Sequence, residues 1–291
     1  MSIEEKDNLR TDDSVLLLCI VYKNHQDVSC FLQNVLEQDT DRRLRIVVTD
    51  NTPGHSDLDC SWLQDSGKTA LEDGRLKVIG DGSNQGYFGG FRKGLELART
   101  EWDAPARWTI LSNTDLRIKS RQWISTLIDD SDSTAILAPK IISGLSGKNQ
   151  NPIYRSRPPA LKFILLRHVF AYGWSTALYR YGALIKAKLT SQNRTQQSLP
   201  DGQEIYGAHG SFICIPAAYF QCGGQLACES FLYLEEIFLA EEAASLGIKI
   251  RYTDRIVVYH DEHASTSLIP PPQIRKHLAK AHELAYEILS R

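Results

Sequence analysis

The run Val15-Leu-Leu-Leu-Cys-Ile-Val21 decides the fold class. It is apolar throughout and too short to span a bilayer, which takes about 20 residues. Such a run fits a strand covered on both faces, as in a parallel sheet flanked by helices. The neighbouring segments agree. From His25 to Gln38, apolar residues recur at Val28, Phe31, Leu32, Val35 and Leu36, a helical period. Leu44–Val48 reads as a second strand and stops at Thr49-Asp50-Asn51-Thr-Pro-Gly, which is turn chemistry. Leu76–Ile79 reads as a third strand, followed by the glycine-rich Gly80 to Gly90 and a helix through Ala98. Trp108–Leu111 reads as a fourth, ending at Ser112-Asn113-Thr-Asp115. Strand and helix in alternation imply βαβ units. Ligands of such sheets bind beyond the carboxyl ends of the strands, so Asp50 and Asp115 are expected to share one cleft.

Ala135–Ile142 continues the pattern as a strand. Asn149 to Gln203 interrupts it with Pro152, Pro158-Pro159 and an aromatic, basic and apolar stretch from Leu161 to Leu189. Ser211–Ile215 resumes the sheet. Glu235–Leu246 reads as a helix closed by Gly247, a residue suited to the position after a helix end. Ile248–Tyr252 and Ile256–Tyr259 read as two short strands, Pro270-Pro-Pro272 breaks the chain, and Gln273–Arg291 reads as a terminal helix. There is no internal repeat.

The chain has 291 residues, 42% of them hydrophobic, enough for one large α/β domain or two small ones. Formal net charge is −2, so no global nucleic-acid signature exists and nucleic acid is not an expected partner. The charge is uneven. From Ser133 to Pro200 there is no Asp or Glu, while ten Lys and Arg fall between Lys140 and Arg194. The opening Met1-Ser-Ile-Glu-Glu-Lys-Asp lacks the apolar core of a signal peptide. The six cysteines show no CxxC pair or zinc spacing, and Cys19 and Cys214 sit in apolar runs. A reducing cytoplasmic compartment is expected.

Chemistry concentrates between Tyr206 and Ser265. Gly207-Ala-His-Gly-Ser-Phe-Ile is followed by Gly223-Gly224, Phe231-Leu-Tyr-Leu-Glu235-Glu236-Ile and Val258-Tyr-His260. Glu235 and Glu236 are neighbours at a helix start, about 100° apart around the axis, so only one faces a cleft squarely. A solvated acidic helix start is the plain alternative, because acids favour that end of the dipole. Upstream, Asn84-Gln-Gly86-Tyr-Phe-Gly89-Gly90 places three glycines before a helix, where backbone amides can approach an anion. It is neither GxGxxG nor a Walker loop. Asp50 can equally serve as the head of an Asx-turn.

These segments, in this order, together with Val47-Val-Thr-Asp50-Asn51 and Leu111-Ser-Asn113-Thr-Asp115, resemble glycosyltransferase family 2. They are most similar to its rhamnosyl- and galactofuranosyl-transferase-like branch, and the resemblance covers roughly Val15 to Ser265. It implies an α/β chain of GT-A type: a Rossmann-like, largely parallel sheet flanked by helices, with a basic helical insertion and a C-terminal helix. Residues 1–148 would form the nucleotide-sugar-binding half, 149–203 the insertion, 204–268 the acceptor and catalytic half, and 269–291 the terminal helix. It further implies an inverting, metal-dependent glycosyltransferase of polysaccharide and cell-envelope synthesis.

Roles carry over from the resemblance position by position. Glu236, commonly Asp in the family, takes the proton from an acceptor hydroxyl, and Glu235 and Gly210 lie on the acceptor side. Asp50 bonds the nucleoside. Asn84, Gly86 and Gly90 shape the nucleotide-sugar pocket. Arg92 stands near the helix start where the family often has a small or amide residue, and either reaches a phosphate bidentately or is simply solvated. Asp115 binds Mg²⁺ or Mn²⁺, which neutralises the departing nucleotide diphosphate. Asn113 stands where the family's Asp-x-Asp-like motif has its first carboxylate, and bonds sugar or ribose instead. His260, with Ser265 following, falls at a metal or diphosphate ligand position, and imidazole suits Mn²⁺ better than Mg²⁺. The implied donor is UDP- or dTDP-linked, and the acceptor a glycan or lipid-linked glycan.

Residues 152–194 mix Arg and Lys with aromatics and Leu/Ile. They read either as a peripheral contact with the inner membrane face or as a subdomain packing on the core or on a second copy. Two other functions stay open. A sugar nucleotidyltransferase usually opens with a glycine-rich, arginine-containing loop after its first strand, whereas Tyr22-Lys-Asn-His-Gln-Asp has no glycine. A non-catalytic GT-A relative would scaffold polysaccharide assembly.

Overall fold

A computed structural model describes residues 12–55, 60–130, 133–190, 199–262 and 270–291. The first half alternates strand and helix: β1 (Asp12–Val21), α1 (His25–Leu36), β2 (Leu44–Asp50), α2 (Asp65–Glu72), β3 (Leu76–Gly80), α3 (Tyr87–Glu101) and β4 (Ala106–Ser112). Then come β5 (Leu116–Ile118), α4 (Trp123–Ile128), β6 (Ile136–Ser143), α5 (Ala160–Ala171) and α6 (Gly173–Thr190). The chain closes with β7 (Glu204–Ile205), β8 (Phe212–Pro216), α7 (Ala217–Gln221), α8 (Glu235–Ser245), β9 (Ile250–His260) and α9 (Pro272–Leu289).

Among the described residues the strands form one sheet in the order β3-β2-β1-β4-β8-β6-β9-β5, with β7 paired to β9. β1 to β4 are mutually parallel, as are β6 and β9, while β8, β5 and β7 run against their neighbours. Successive side chains of a strand point to opposite faces. Val15, Leu17 and Cys19 join one core cluster with α1 and α4; Leu16 and Leu18 join another with Phe88 and Phe91 of α3. Helices therefore cover both faces of β1, which is why its run is unbroken.

Register brings the chemistry to one edge. Val21 lies beside Asp50, Asp50 beside Gly80, Ser112 beside Phe212, and Ser143 and Leu116 each beside His260. The two strands expected after Gly247 are one strand, β9. Its pairing with β6 shifts register between Pro139 and Lys140, and Asp254 and Arg255 sit exposed at that irregularity. A polar pair that reads as a turn is here a bulge. The interruption after Asn149 folds as α5 and α6. Phe163 of α5 packs with Ile237 of α8 and with Ala285 and Leu289 of α9.

The entry to β2 rests on one carboxylate. Buried Asp39 accepts from the backbone N–H groups of Arg43 (2.8 Å) and Leu44 (2.9 Å) and from Arg75 Nη1 (3.0 Å). Asp39→Ala leaves these donors without their acceptor, so a stability loss of about 2–4 kcal/mol is expected in urea unfolding. A loss below about 1 kcal/mol would show that β2 does not need this anchor.

Candidate active site

The loop before α3 is shaped by its own backbone. Gly86 has φ +73°, and a Cβ there would lie 2.2 Å from the Phe231 carbonyl oxygen. That oxygen accepts from the Tyr87 N–H at 3.0 Å, so the loop is tied to the segment leading into α8. Asn84 Oδ1 accepts from the Gly86 N–H at 2.9 Å, and Asn51 Nδ2 donates to the Gly86 carbonyl at 2.8 Å. A Cβ at Gly90 would meet Ile20 Cδ1 at 2.8 Å and Asn51 Nδ2 at 3.0 Å. Asn84 and Gly90 thus hold the loop against the strand ends. Arg92 is half-buried and makes no hydrogen bond or ion pair among the described residues.

Tyr87 is placed by this loop. Its hydroxyl lies 2.5 Å from the Asn113 side-chain amide and 2.9 Å from the Gly210 carbonyl. One hydroxyl hydrogen serves one acceptor. The 2.5 Å contact has the length of an O–H···O bond, so the hydroxyl donates to Asn113 Oδ1, and the Gly210 carbonyl stands beside it as a second acceptor. Asn113 N–H also donates to the Ser211 carbonyl at 2.8 Å. The Gly210 N–H in turn donates to Glu236 Oε1 at 3.3 Å. Asn113, Tyr87, Gly210 and Glu236 form one connected line.

Glu235 and Glu236 enter α8 through a strained turn, for Tyr233 and Leu234 both have positive φ (76° and 63°). Glu235 is buried and accepts from the Tyr233 N–H at 2.7 Å. Burial, then the charge of Glu236, pushes its carboxyl up to about 7. Burial also raises Glu236, while backbone N–H groups, that of Gly210 included, pull against it. From sequence, like charges at Glu235, Glu241 and Glu242 on the same helix are expected to raise Glu236. The last two lie apart from it: Glu241 binds Arg157 and Tyr206, and Glu242 accepts from Gln225 and Ala227 N–H.

Asp115 follows β4 and faces His260, the last residue of β9, with Oδ2 3.3 Å from Nε2. The His260 ring is oriented by its neighbours. Gln150 donates its amide nitrogen to Glu262 at 2.8 Å, so its oxygen faces His260 Nδ1, also at 2.8 Å. Ser143 Oγ holds the other oxygen of Glu262. Nδ1 therefore donates to Gln150, and Nε2 is the ring nitrogen that faces the Asp115 carboxylate. A carboxylate and an imidazole so placed can pair as ions or together hold a metal ion. The ring of His209 stands 5.8 Å from that of His260, and burial, then His260, drives it down to about 4.

Asp50 ends β2, separated from Asp115 by β1 in the sheet order. It heads an Asx-turn, accepting from the Thr52 N–H at 2.8 Å, and also accepts from His25 Nε2 (3.0 Å) and His55 Nδ1 (2.8 Å). Burial alone would raise its pKa; the bonds from Thr52, His25 and His55 outweigh it and leave it lowered. The ligand atoms of the three lie within 4.8 Å of one another, so the group could also hold a metal ion.

A cleft of 220 Å³ opens at the ends of β1 and β4, lined by Tyr22, Asn24, Asp27, Tyr87, Asn113 and Asp115. A larger apolar cavity of 320 Å³, walled by Leu16, Leu95, Trp102 and Phe220, lies at the amino-terminal ends of the same strands, away from these groups. No family model matches the sequence, and no curated protein matches it significantly. Solved structures do resemble it. One, GalNAc-T7 with UDP, GalNAc and Mn²⁺, aligns with TM-score 0.56 and 12% identity over 93% of this chain and 47% of that chain. The chain has a GT-A fold. It spans about half the length of GalNAc-T7 as solved. Another alignment, with the mannosyltransferase PcManGT from Pyrobaculum calidifontis in complex with GDP-Man and Mn²⁺, has TM-score 0.47 and 12% identity, over 98% of this chain and 77% of that chain.

At the carboxyl edge of this GT-A sheet, Asn113, Asp115, Gly210, Glu235, Glu236 and His260 gather, with Asp50 two strands away. Ser265 and His263 lie outside the described residues. Sequence reasoning missed Tyr87, Gln150, Glu262, His25 and His55. Tyr87 and the two histidines adjoin segments already singled out; nothing in the pattern marks Gln150 or Glu262.

Glu235 sets a pH dependence. Its carboxyl is higher in the folded chain, about 7, than its ordinary 4.5, so wild-type stability falls as pH rises between these values. Glu235→Gln escapes this loss while keeping an acceptor for Tyr233. It is expected to gain on wild type from pH 4.5 to 7 and to exceed it by about 2 kcal/mol at pH 8, read by denaturant unfolding. Equal stability across that range would show that Glu235 ionises normally.

Proposed function

We propose that the chain is an inverting glycosyltransferase that moves a sugar from a nucleotide-diphosphate sugar to a hydroxyl of a glycan or lipid-linked glycan. The observation that carries this reading is the hydrogen-bonded line from Asn113 through Tyr87 and Gly210 to Glu236. It supports a reading in which Asp115, on the cleft wall two residues after Asn113, and Glu236 serve one reaction.

Glu236 receives the acceptor proton. Burial supports this, because a carboxylate raised above its usual range is a better base near neutral pH. Gly210 holds one of its oxygens and leaves the other for substrate. Asp50, kept ionised by its hydrogen bonds, meets the nucleoside, and Arg92 a phosphate. Asp115 and His260 would hold Mg²⁺ or Mn²⁺. When bound, the ion offsets negative charge on the leaving nucleotide. The His/Asp/His group around Asp50 suits this less, because hydrogen bonds already satisfy that carboxylate. The UDP and Mn²⁺ in the GalNAc-T7 structure agree with a UDP- or dTDP-linked donor and with that ion. The rhamnosyl- and galactofuranosyl-like branch rests on the ordered sequence segments.

Calorimetry with UDP-, dTDP- and GDP-sugars, with and without Mn²⁺, tests donor binding. Asp115→Ala is expected to abolish the metal-dependent part; unchanged binding would remove Asp115 as a ligand. Glu236→Gln is expected to lower transfer by about 10²–10⁴-fold while donor affinity stays within about twofold. Near-native transfer by that variant would mean another group is the base. Release of pyrophosphate would mark nucleotidyl transfer instead.

A further inference from the structure

Helices α5 and α6 turn apolar side chains outward. On α6, Trp174, Leu178, Tyr181 and Ile185 are all exposed, Trp174 at 72% and Leu178 at 66%. Their spacing is that of one helical stripe, so the solvent face of α6 is an apolar face. Leu161, Leu165 and Tyr172 continue it along α5, whose inward residues Phe163 and Phe170 meet α9. Single exposed apolar residues are ordinary, but a contiguous set of this size marks a contact surface.

A basic groove borders the stripe. Between the end of α5 and the start of α9, a cavity of 550 Å³ is lined by Arg167, His168, Arg275, Lys276 and Lys280, with Glu283 as the acidic member. Arg275 reaches under the α5–α6 junction, where a Cβ on Gly173 would lie 3.2 Å from its Nη1. Its Nε is buried without a hydrogen-bond partner among the described residues. Arg167 and Lys280 both pair with Glu283 (3.6 and 3.2 Å), and Arg275 and Lys276 leave the groove with an excess of positive charge beside the apolar stripe.

We propose that this face seats the chain on an anionic lipid bilayer, with the stripe in the interface and the groove at the level of the phosphates. Charge selects this occupant over a second copy. A two-fold contact would set Lys162 and Arg180 near their own copies, in a segment with no Asp or Glu from Ser133 to Pro200. Among the described residues no helix is long and apolar enough to cross a membrane; in the proposed seating the helices lie in the plane of the bilayer. The face also adjoins the site. Phe163 of α5 packs against Ile237 of α8, the residue after Glu236. On the glycosyl-transfer reading, the acceptor is then an amphiphile whose head reaches Glu236 from the lipid; the seating itself does not depend on that reading.

Flotation of the full chain with phosphatidylcholine vesicles, with and without phosphatidylglycerol, is the test. Binding to the anionic vesicles, weakened by salt, is expected. The double variant Trp174→Ser with Leu178→Ser is expected to lower it roughly tenfold or more. Lys276→Gln and Lys280→Gln are each expected to lower it about fivefold, on anionic vesicles only. Circular dichroism and thermal unfolding confirm that each variant folds. Absence of wild-type flotation, or equal flotation of folded Trp174/Leu178 and wild-type chains, would overturn the proposal. So would ultracentrifugation showing a dimer that this variant dissolves, without lipid binding. Vesicle binding alongside failed donor calorimetry would leave the seating intact and reject only glycosyl transfer.

Discussion

The Tyr87 hydroxyl is the contact on which the site depends. It joins the parallel half of the sheet, through Asn113 after β4, to the antiparallel strand β8, through the Gly210 carbonyl. Burial first, then the charges of Glu235, Glu236 and Asp115, hold its pKa well above the ordinary tyrosine value. The phenol therefore stays a donor. Three carboxylates surround it, and a phenolate there would add a fourth negative charge to a poorly solvated space. The glycine at position 86 is what allows the ring to arrive, because any side chain there meets the Phe231 carbonyl.

A second constraint acts through hydrogen-bond polarity. Glu262 orients Gln150, Gln150 orients His260, and His260 then turns its Nε2 toward Asp115. No single distance in this series is unusual. The direction of each donor is what fixes the ring so that Nε2, and not Nδ1, meets the carboxylate.

Much of the fold was legible because burial on both sides leaves a simple trace. β1 has helices on each face, so every residue is apolar, and the helical period of α1 repeats the message. Turn chemistry after β2 and β4 marked the strand ends that carry Asp50, Asn113 and Asp115. The short elements α2, β5, α4, β7 and α7 left no trace, since a few residues with mixed exposure have no period to detect. β9 was split because Asp254-Arg255 looks like a loop, whereas pairing with β6 carries the strand through it. In the site, the carboxylates and His260 were visible as residue types in order. Gln150 and Glu262 were not, because their work depends on contacts across more than a hundred residues of sequence. The orientation of α5 and α6 was equally hidden: composition shows that the segment is apolar and basic, but not which side faces out.

Tyr233 and Leu234 carry a consequence for how the molecule fails on heating. Two neighbouring side-chain-bearing residues with positive φ store roughly 1–2 kcal/mol each, held in place by the packing of α8 against its surroundings. Loosening of α8 lets that turn spring back, and both carboxylates leave with it. The large sheet has no reason to notice. Warming should silence the chemistry at a temperature where spectroscopy still reports an intact protein.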